Sequence, residues 1–423
     1  MRQRGLFILI VLIFLGGLTA IVLRAGLNNS GQVARRPSSS RPSLSAREVK
    51  PASSISVDRP RTSPAPRANK VYTQYRTEGL AVHSVTEGLG AYWVGTTGGV
   101  IRYRKDTKVA TIFDNTSGLW SNLVRHVRID PALGVVVGTF GGGLSLFDPA
   151  HQTWRHLSIA DGLPDTFVQW TLRSRAGDLW IATWSGVCLV RNGVVDDLRS
   201  WTCYDVVSTA GGLPSDRIYA LAEDDSGSIW AATDSGIARF RSGVWRGWTH
   251  ADGLGAEISA KALAAETTPG RKRDIGATAL GRNRHPEADS YLQRFPLDRA
   301  VFNPNVVTSI FIDGEDRVWA GTWGGGLALY QNGLWRNYTI ADGLAANHVH
   351  GIARDRDGRI LVATSGGLSI YRGGNFQSLT TKDGLLSNAA LTVVVGADGG
   401  FWVGGVGGAV HFPKLPEIRP SNG

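Results

Sequence analysis

One short pattern recurs down the chain: an aromatic or aliphatic residue, two small residues, Thr, two variable residues and Gly. It reads WVGTTGG at 93–99, VVGTFGGG at 136–143, WIATWSG at 180–186, WAATDSG at 230–236, WAGTWGGG at 319–326, LVATSGG at 361–367 and, without its Thr, WVGGVGG at 402–408. The aligned threonines are Thr96, Thr139, Thr183, Thr233, Thr322 and Thr364. A Gly-Leu pair, usually after an acid, marks the repeats at 79, 118, 162, 212, 253, 343 and 384. Most intervals are 39–50 residues, the period of a β-propeller blade with four short strands. In the copy at 345–385 the strands are expected at Asn347–Asp355, Ile360–Thr364, Leu368–Tyr371 and Phe376–Thr380. A single four-stranded sheet leaves two apolar faces wet, whereas a ring of such sheets buries both. The fold class expected is therefore all-β, a single propeller.

Blade number follows from spacing. Thr233 and Thr322 are 89 residues apart, about two periods, and ALAAETTPGRKRDIGATALG at 262–281 echoes ALAEDDSGSIWAATDSG at 220–236, placing Thr278 midway. This predicts eight blades with the fifth eroded; the alternative is seven blades with an insertion of about one period. The last unit lacks a fourth strand, and Val71–Thr77 (VYTQYRT) precedes the first marker like an outer strand. It is expected to complete the final blade and remove the open edge.

The net charge of +10 sits almost wholly in residues 1–70, which hold 12 Lys or Arg against 2 Asp or Glu; residues 71–423 hold 33 of each. A neutral body argues against nucleic acid as a partner. Leu6–Leu23 is an uncharged apolar run between Arg4 and Arg24, at 1.5 Å per residue about 27 Å long as a helix, enough to span a bilayer. It is longer than a typical signal-peptide core and no small-x-small cleavage site follows, so a retained signal-anchor over 1–27 is expected. Residues 28–70, rich in Ser, Pro and Arg and without aromatics, form a disordered linker. The propeller is assigned to 71–415 and a short tail to 416–423. Flanking charges alone leave the orientation open. Cys188 and Cys203 either pair across one blade or serve as small buried hydrophobes.

GGLPSDRIYALAEDDSGSIWAATDSGIARF at 211–240 resembles the two-component regulator propeller family, whose repeat reads DGL-x-S-N-x-V-x-x-I-x-x-D-x-x-G-x-L-W-I-G-T-x-x-G-L. The likeness extends over nearly all of 79–412. The family usually has seven blades and supplies extracytoplasmic sensing domains of hybrid histidine kinases, often near polysaccharide use. The resemblance thus implies a propeller outside the cytoplasm, periplasmic or extracellular. The repeats occupy the chain almost to Gly423, so the signalling output is expected on a partner in trans.

The turns before the inner strand and between the second and third strands open on one face. The variable residues after the Thr, namely Thr97, Phe140, Trp184, Asp234, Trp323 and Ser365, are therefore expected around the channel mouth. Phe140, Trp184 and Trp323, beside Asp234, suit stacking on sugar or peptide rings; packing between blades is the alternative. Along the inner strands Thr86, Arg125, Gln169, Tyr219, Thr308 and His350 align as a polar well that differs from blade to blade. His348 and His350 share a strand face, but no third ligand is evident, so no metal and no cofactor are expected. Asp130, Asp224, Asp313 and Asp355, and the turn residues Asn122, Asp216, Asn305, Asn347 and Asn388, are expected to cap backbone N–H groups. No nucleophile elbow, metalloprotease helix, phosphate loop or dinucleotide fingerprint occurs. The expected function is binding of a glycan, peptide or protein ligand at the channel face. The alternatives are an envelope lyase or hydrolase, and a scaffold in an envelope complex.

Overall fold

The computed structural model describes residues 67–68, 71–257, 303–315 and 317–416. The expected anchor at 1–27, nearly all of the linker and the eroded repeat around Thr278 lie outside them. Among the described residues no helix is long and apolar enough to cross a membrane.

The repeat code becomes local geometry in the same way each time. The motif Thr is buried, and its Oγ1 donates to the carbonyl of the Gly that opens the third strand, at 2.8 Å for Thr96 to Gly99, Thr183 to Gly186 and Thr364 to Gly367. That Gly is required: Gly99 has φ 115°, and a Cβ there would lie 2.2 Å from the Phe113 carbonyl oxygen. The motif's small residues serve packing. A Cβ on Gly95 would meet Val124 at 2.7 Å, because the next inner strand runs against it.

In five of the seven repeats the Gly-Leu marker ends a one-turn 3-10 helix. In Ile159–Asp161, Ile340–Asp342 and Thr381–Asp383 a Ser or Thr caps the start, the third-residue Asp bonds back to the cap's N–H, and the Gly ends the turn left-handed. Asn122, Asp216, Asn305, Asn347 and Asn388 each accept a backbone N–H of this connection through Oδ1, at 2.7–2.9 Å. Asp224 and Asp313 accept backbone N–H groups in their own turns and also the indole N–H of Trp230 and Trp319, both at 2.8 Å. These expected caps are structural.

Among the described residues the strands form six sheets, not seven or eight separate blades. Five are four-stranded. The sixth holds seven strands because Thr73–Gly88 and Phe401–Phe412 run through it and join the first repeat to the last. The eight-blade expectation fails for a packing reason. Ala220, Trp230 and Trp248 from the sheet of Ile218–Glu223 share one apolar cluster with Val307, Val318 and Ala320 from the sheet of Asn303–Ile312. The two sheets touch directly, which leaves no slot for a blade built from the residues between them.

Ring closure follows the expected route. Thr73, Gln74, Tyr75 and Arg76 pair with His411, Val410, Ala409 and Gly408. Cys188 and Cys203, opposite each other on neighbouring strands, form a disulfide.

His126 gives the core an acid-sensitive point. It is buried between sheets, its ring 4.3 Å from that of Trp170. Burial and then the charge of Arg128 lower its pKa to about 3, against a weak opposing effect from the Thr171 backbone. The unfolded chain takes up this proton near pH 6.5 and the folded chain only near 3, so stability falls as pH drops through that window. Between pH 7.5 and 5 this group is expected to cost about 2 kcal/mol. Urea titrations should find that loss diminished by about that amount in His126→Phe; equal acid slopes in the two proteins would assign the sensitivity elsewhere.

Candidate functional site

Every inner strand carries a β-bulge at one equivalent position. The register slips between Val82 and Ser84, Val124 and His126, Val168 and Trp170, Ile218 and Ala220, Val307 and Ser309, Val349 and Gly351, and Ala390 and Thr392. The residue left out of the ladder is His83, Arg125, Gln169, Tyr219, Thr308, His350 or Leu391. A bulge re-aims a side chain without ending the strand. Seven bulges at one level of seven adjoining inner strands therefore place a ring of side chains at one end of the channel.

Several ring members meet across neighbouring sheets. Arg125 Nε donates to Gln169 Oε1 at 3.1 Å, and Arg125 Nη1 lies 3.2 Å from His83 Nδ1. Thr308 Oγ1 donates to the Val349 carbonyl of the next inner strand. Burial, then Arg125, then His350 hold the His83 imidazole well below its ordinary pKa. Burial, then His348, then Arg125 bring His350 to about 3. Both rings are neutral at pH 7, although each keeps some water contact along the channel.

The rim stands just above this ring. The residue after the motif Thr donates its N–H to the residue two before the bulge, as Phe140 does to Leu123, Asp234 to Arg217, Thr97 to Ala81 and Ser365 to His348, at 2.8–3.2 Å. Phe140, Phe167 and Trp184 form one aromatic group. Phe167 and Trp184 stack at 5.3 Å, and Phe140 stands edge-on to them at 4.5 and 4.8 Å. The Arg217 guanidinium lies 5.3 Å from the Trp184 ring centre and 3.6 Å from Asp234. Trp323 belongs to a second group, at 5.1 Å from His348 and 5.7 Å from His350.

Of the expected site residues, Phe140, Trp184 and Asp234 thus come together, Trp323 joins His348 and His350, and Arg125, Gln169, Tyr219, Thr308 and His350 lie in the bulge ring. Thr86 does not. It pairs with Trp93 further along its strand and lines a cleft of about 400 Å³ with Val394 and Trp402, and His83 holds its place in the ring. Arg125, Gln169, Tyr219 and His350 each fall seven residues after a marker Gly. In the first repeat Gly79 already lies inside the strand Thr73–Gly88, without the loop that elsewhere separates the marker from the inner strand, so that offset overshoots by three. Counting back from the motif Thr, fourteen residues in most repeats and thirteen in the first, would have found His83. Phe167 and Arg217 were also missed; both lie just before an inner strand.

A larger cleft of about 590 Å³, lined by Arg175, Trp180, Tyr204, Glu223 and Phe240 among others, opens at the opposite ends of the strands, away from the ring. Among the described residues no three His, Cys, Asp or Glu side chains are grouped to hold a metal ion.

The sequence matches the family described as two component regulator propeller over residues 212–235, 302–324 and 343–366. No curated protein matches it. Among solved structures it is similar to the extracellular domain of a hybrid two component system from B. thetaiotaomicron, at 18% identity and a TM-score of 0.60 over 81% of this chain and 40% of that one. A second extracellular domain from that organism, of a one component system, gives 16% and 0.59 over 83% and 40%. This chain therefore spans about 40% of the length of either extracellular domain. Virginiamycin B lyase from Staphylococcus aureus, solved with quinupristin as an inactive variant, gives 10% and 0.52 over 81% and 98%. At such identities the likeness is one of fold. The chain is a β-propeller that carries repeats of the two component regulator propeller family.

Proposed function

We propose that this chain is the ligand-binding propeller of an extracytoplasmic sensor. On this reading the apolar segment at 6–23 anchors it to the membrane, the linker holds the propeller outside the cytoplasm, and a separate protein carries the output. The observation that carries the reading is the convergence of unlike polar side chains from successive sheets at one channel end, under an aromatic rim. A scaffold alone needs no such ring. The regulator-propeller repeats support a sensing role, and the Cys188–Cys203 disulfide suits an oxidising compartment.

Binding is favoured over catalysis by the state of the imidazoles. A general base works best with a pKa near the working pH. An imidazole near 3, as in His350, is a weak proton acceptor, though a neutral one can hydrogen-bond a polar ligand.

The test is a double substitution. Trp184→Ala with Trp323→Ala is expected to leave the thermal midpoint within a few degrees and to reduce binding on a glycan and peptide array at least tenfold, each aromatic contact being worth about 1 kcal/mol or more. Unchanged binding would move the site off this face. Product formed from array components would favour a lyase or hydrolase, and a stoichiometric partner protein without small-molecule binding would favour a scaffold.

A further inference from the structure

The composition of the bulge ring narrows what can bind there, and the inference rests on the channel-end reading above. Among the described residues the ring has seven members, of which one, Arg125, is a permanent cation and none is Asp or Glu. His83 and His350 stay neutral at pH 7, so the ring carries one fixed positive charge. That charge is oriented as well as present, since Gln169 holds Nε and His83 lies against Nη1.

Gln169 supplies a second, independent observation. Its side chain is buried, 4% exposed, and the bond from Arg125 to Oε1 decides which way the amide faces. The Nε2 donors then have no hydrogen-bond partner among the described residues. A buried donor left unpaired is costly, and an acceptor arriving beside Arg125 would relieve it. Beside this end Asp234 pairs with Arg217, and burial raises the pKa of Asp165, which accepts the N–H of Phe167 at 2.6 Å. Above the polar floor stand the stacked rings of Phe167 and Trp184 on one side and Trp323 on another.

We infer that this end of the channel binds the anion of a ring-bearing carboxylic acid, with the carboxylate accepting from Arg125 and Gln169 Nε2 and the ring lying against the rim aromatics. One guanidinium beside one amide suits a planar group with two acceptor oxygens, whereas a phosphate dianion would call for more donors. No bond is made or broken; the step is recognition.

The full chain can be titrated with cyclohexanecarboxylate, with the isosteric neutral cyclohexanecarboxamide and with inorganic phosphate. The carboxylate should bind at least tenfold more tightly than the amide and than phosphate. Arg125→Gln should abolish the preference for charge, Gln169→Leu should weaken the carboxylate about threefold to tenfold, and Trp184→Ala should weaken both ring compounds alike. If Arg125→Gln does not fold, the Gln169 variant and the ligand comparison still decide. Equal affinity for carboxylate and amide, a preference for phosphate, a preference that survives Arg125→Gln, or no binding of the carboxylate would each overturn the inference. If array ligands nonetheless depend on Trp184 and Trp323, only the ligand class has failed. If they do not, the channel-end site has failed with it.

Discussion

Deleting residues 67–77 is expected to unfold or aggregate the propeller rather than trim a loose end. Within them Thr73–Arg76 run beside Gly408–His411, Arg67 and Ala68 pair with Gln74 and Thr73 on the outer side, and no other described strand covers that edge. Tyr75 packs its ring 4.7 Å from Trp402, 5.0 Å from Tyr103 and 6.4 Å from Tyr92, so it bridges the last repeat and the first. Tyr72 lies 5.6 Å from Phe412, and Gln74 Nε2 donates to the Gly384 carbonyl at 2.9 Å. Each large apolar side chain removed from water contributes about 1.5–3 kcal/mol. The deletion also exposes Ala409, Val410 and Phe412, now buried, and leaves an unpaired edge open to other chains. The combined loss, on the order of 5–10 kcal/mol, rivals the whole stability of a domain. Tyr75→Ala should cost about 3 kcal/mol by itself. Urea unfolding with light scattering checks both, and a deletion variant with an unchanged midpoint would mean that the ring closes without this strand.

The second large effect is expected at Asp130. Its side chain is fully buried and grips Arg173 of the neighbouring sheet through two bonds of 2.8 Å, while Arg173 itself is 12% exposed. The same carboxylate accepts the N–H groups of Ala132 and Leu133. Burial would raise its pKa, but Arg173 and these N–H groups more than offset that, and the net shift is downward. Asp130→Ala leaves a buried guanidinium without its counter-charge, which typically costs 3–5 kcal/mol. Adding Arg173→Met should recover a large part of that loss, because the stranded charge is then gone. The exposed pair of Arg199 and Asp197, 91% and 38% exposed, should give less than about 1 kcal/mol in the same assay. A double variant as unstable as Asp130→Ala alone would show that the turn bonds, not the ion pair, carry the energy.

Much of this was legible beforehand. The motif Thr, the turn Asp residues and the inner-strand Asn residues were all placed correctly, since all but one act within about ten residues of themselves; Asn305 instead accepts the N–H of His250, 55 residues back. The Thr reaches a carbonyl three or four residues on, and Asn347 an N–H seven residues back. The channel positions Arg125, Gln169, Tyr219, Thr308 and His350 were legible by counting. The same count put Thr86 where His83 stands, because the first repeat enters its inner strand straight from the closing strand. The apparent eighth blade rested on an echo at 262–281. An echo records spacing, whereas a blade needs a face on each side, and the flanking sheets already occupy each other's.

By itself, then, the sequence determined that short strands would form, where they would turn, and that they would need neighbours to bury both faces, because those outcomes depend on local hydrogen bonds and on alternation of apolar residues. Tertiary structure alone decided how many sheets share the circle, that the two chain ends merge in one of them, and which side chains meet at the channel. Those outcomes depend on contacts between residues 40 to more than 300 positions apart, such as Arg125 with His83 and Gln169, or Tyr75 with Trp402. No local pattern encodes such distances, and closing the ring sets them all at once.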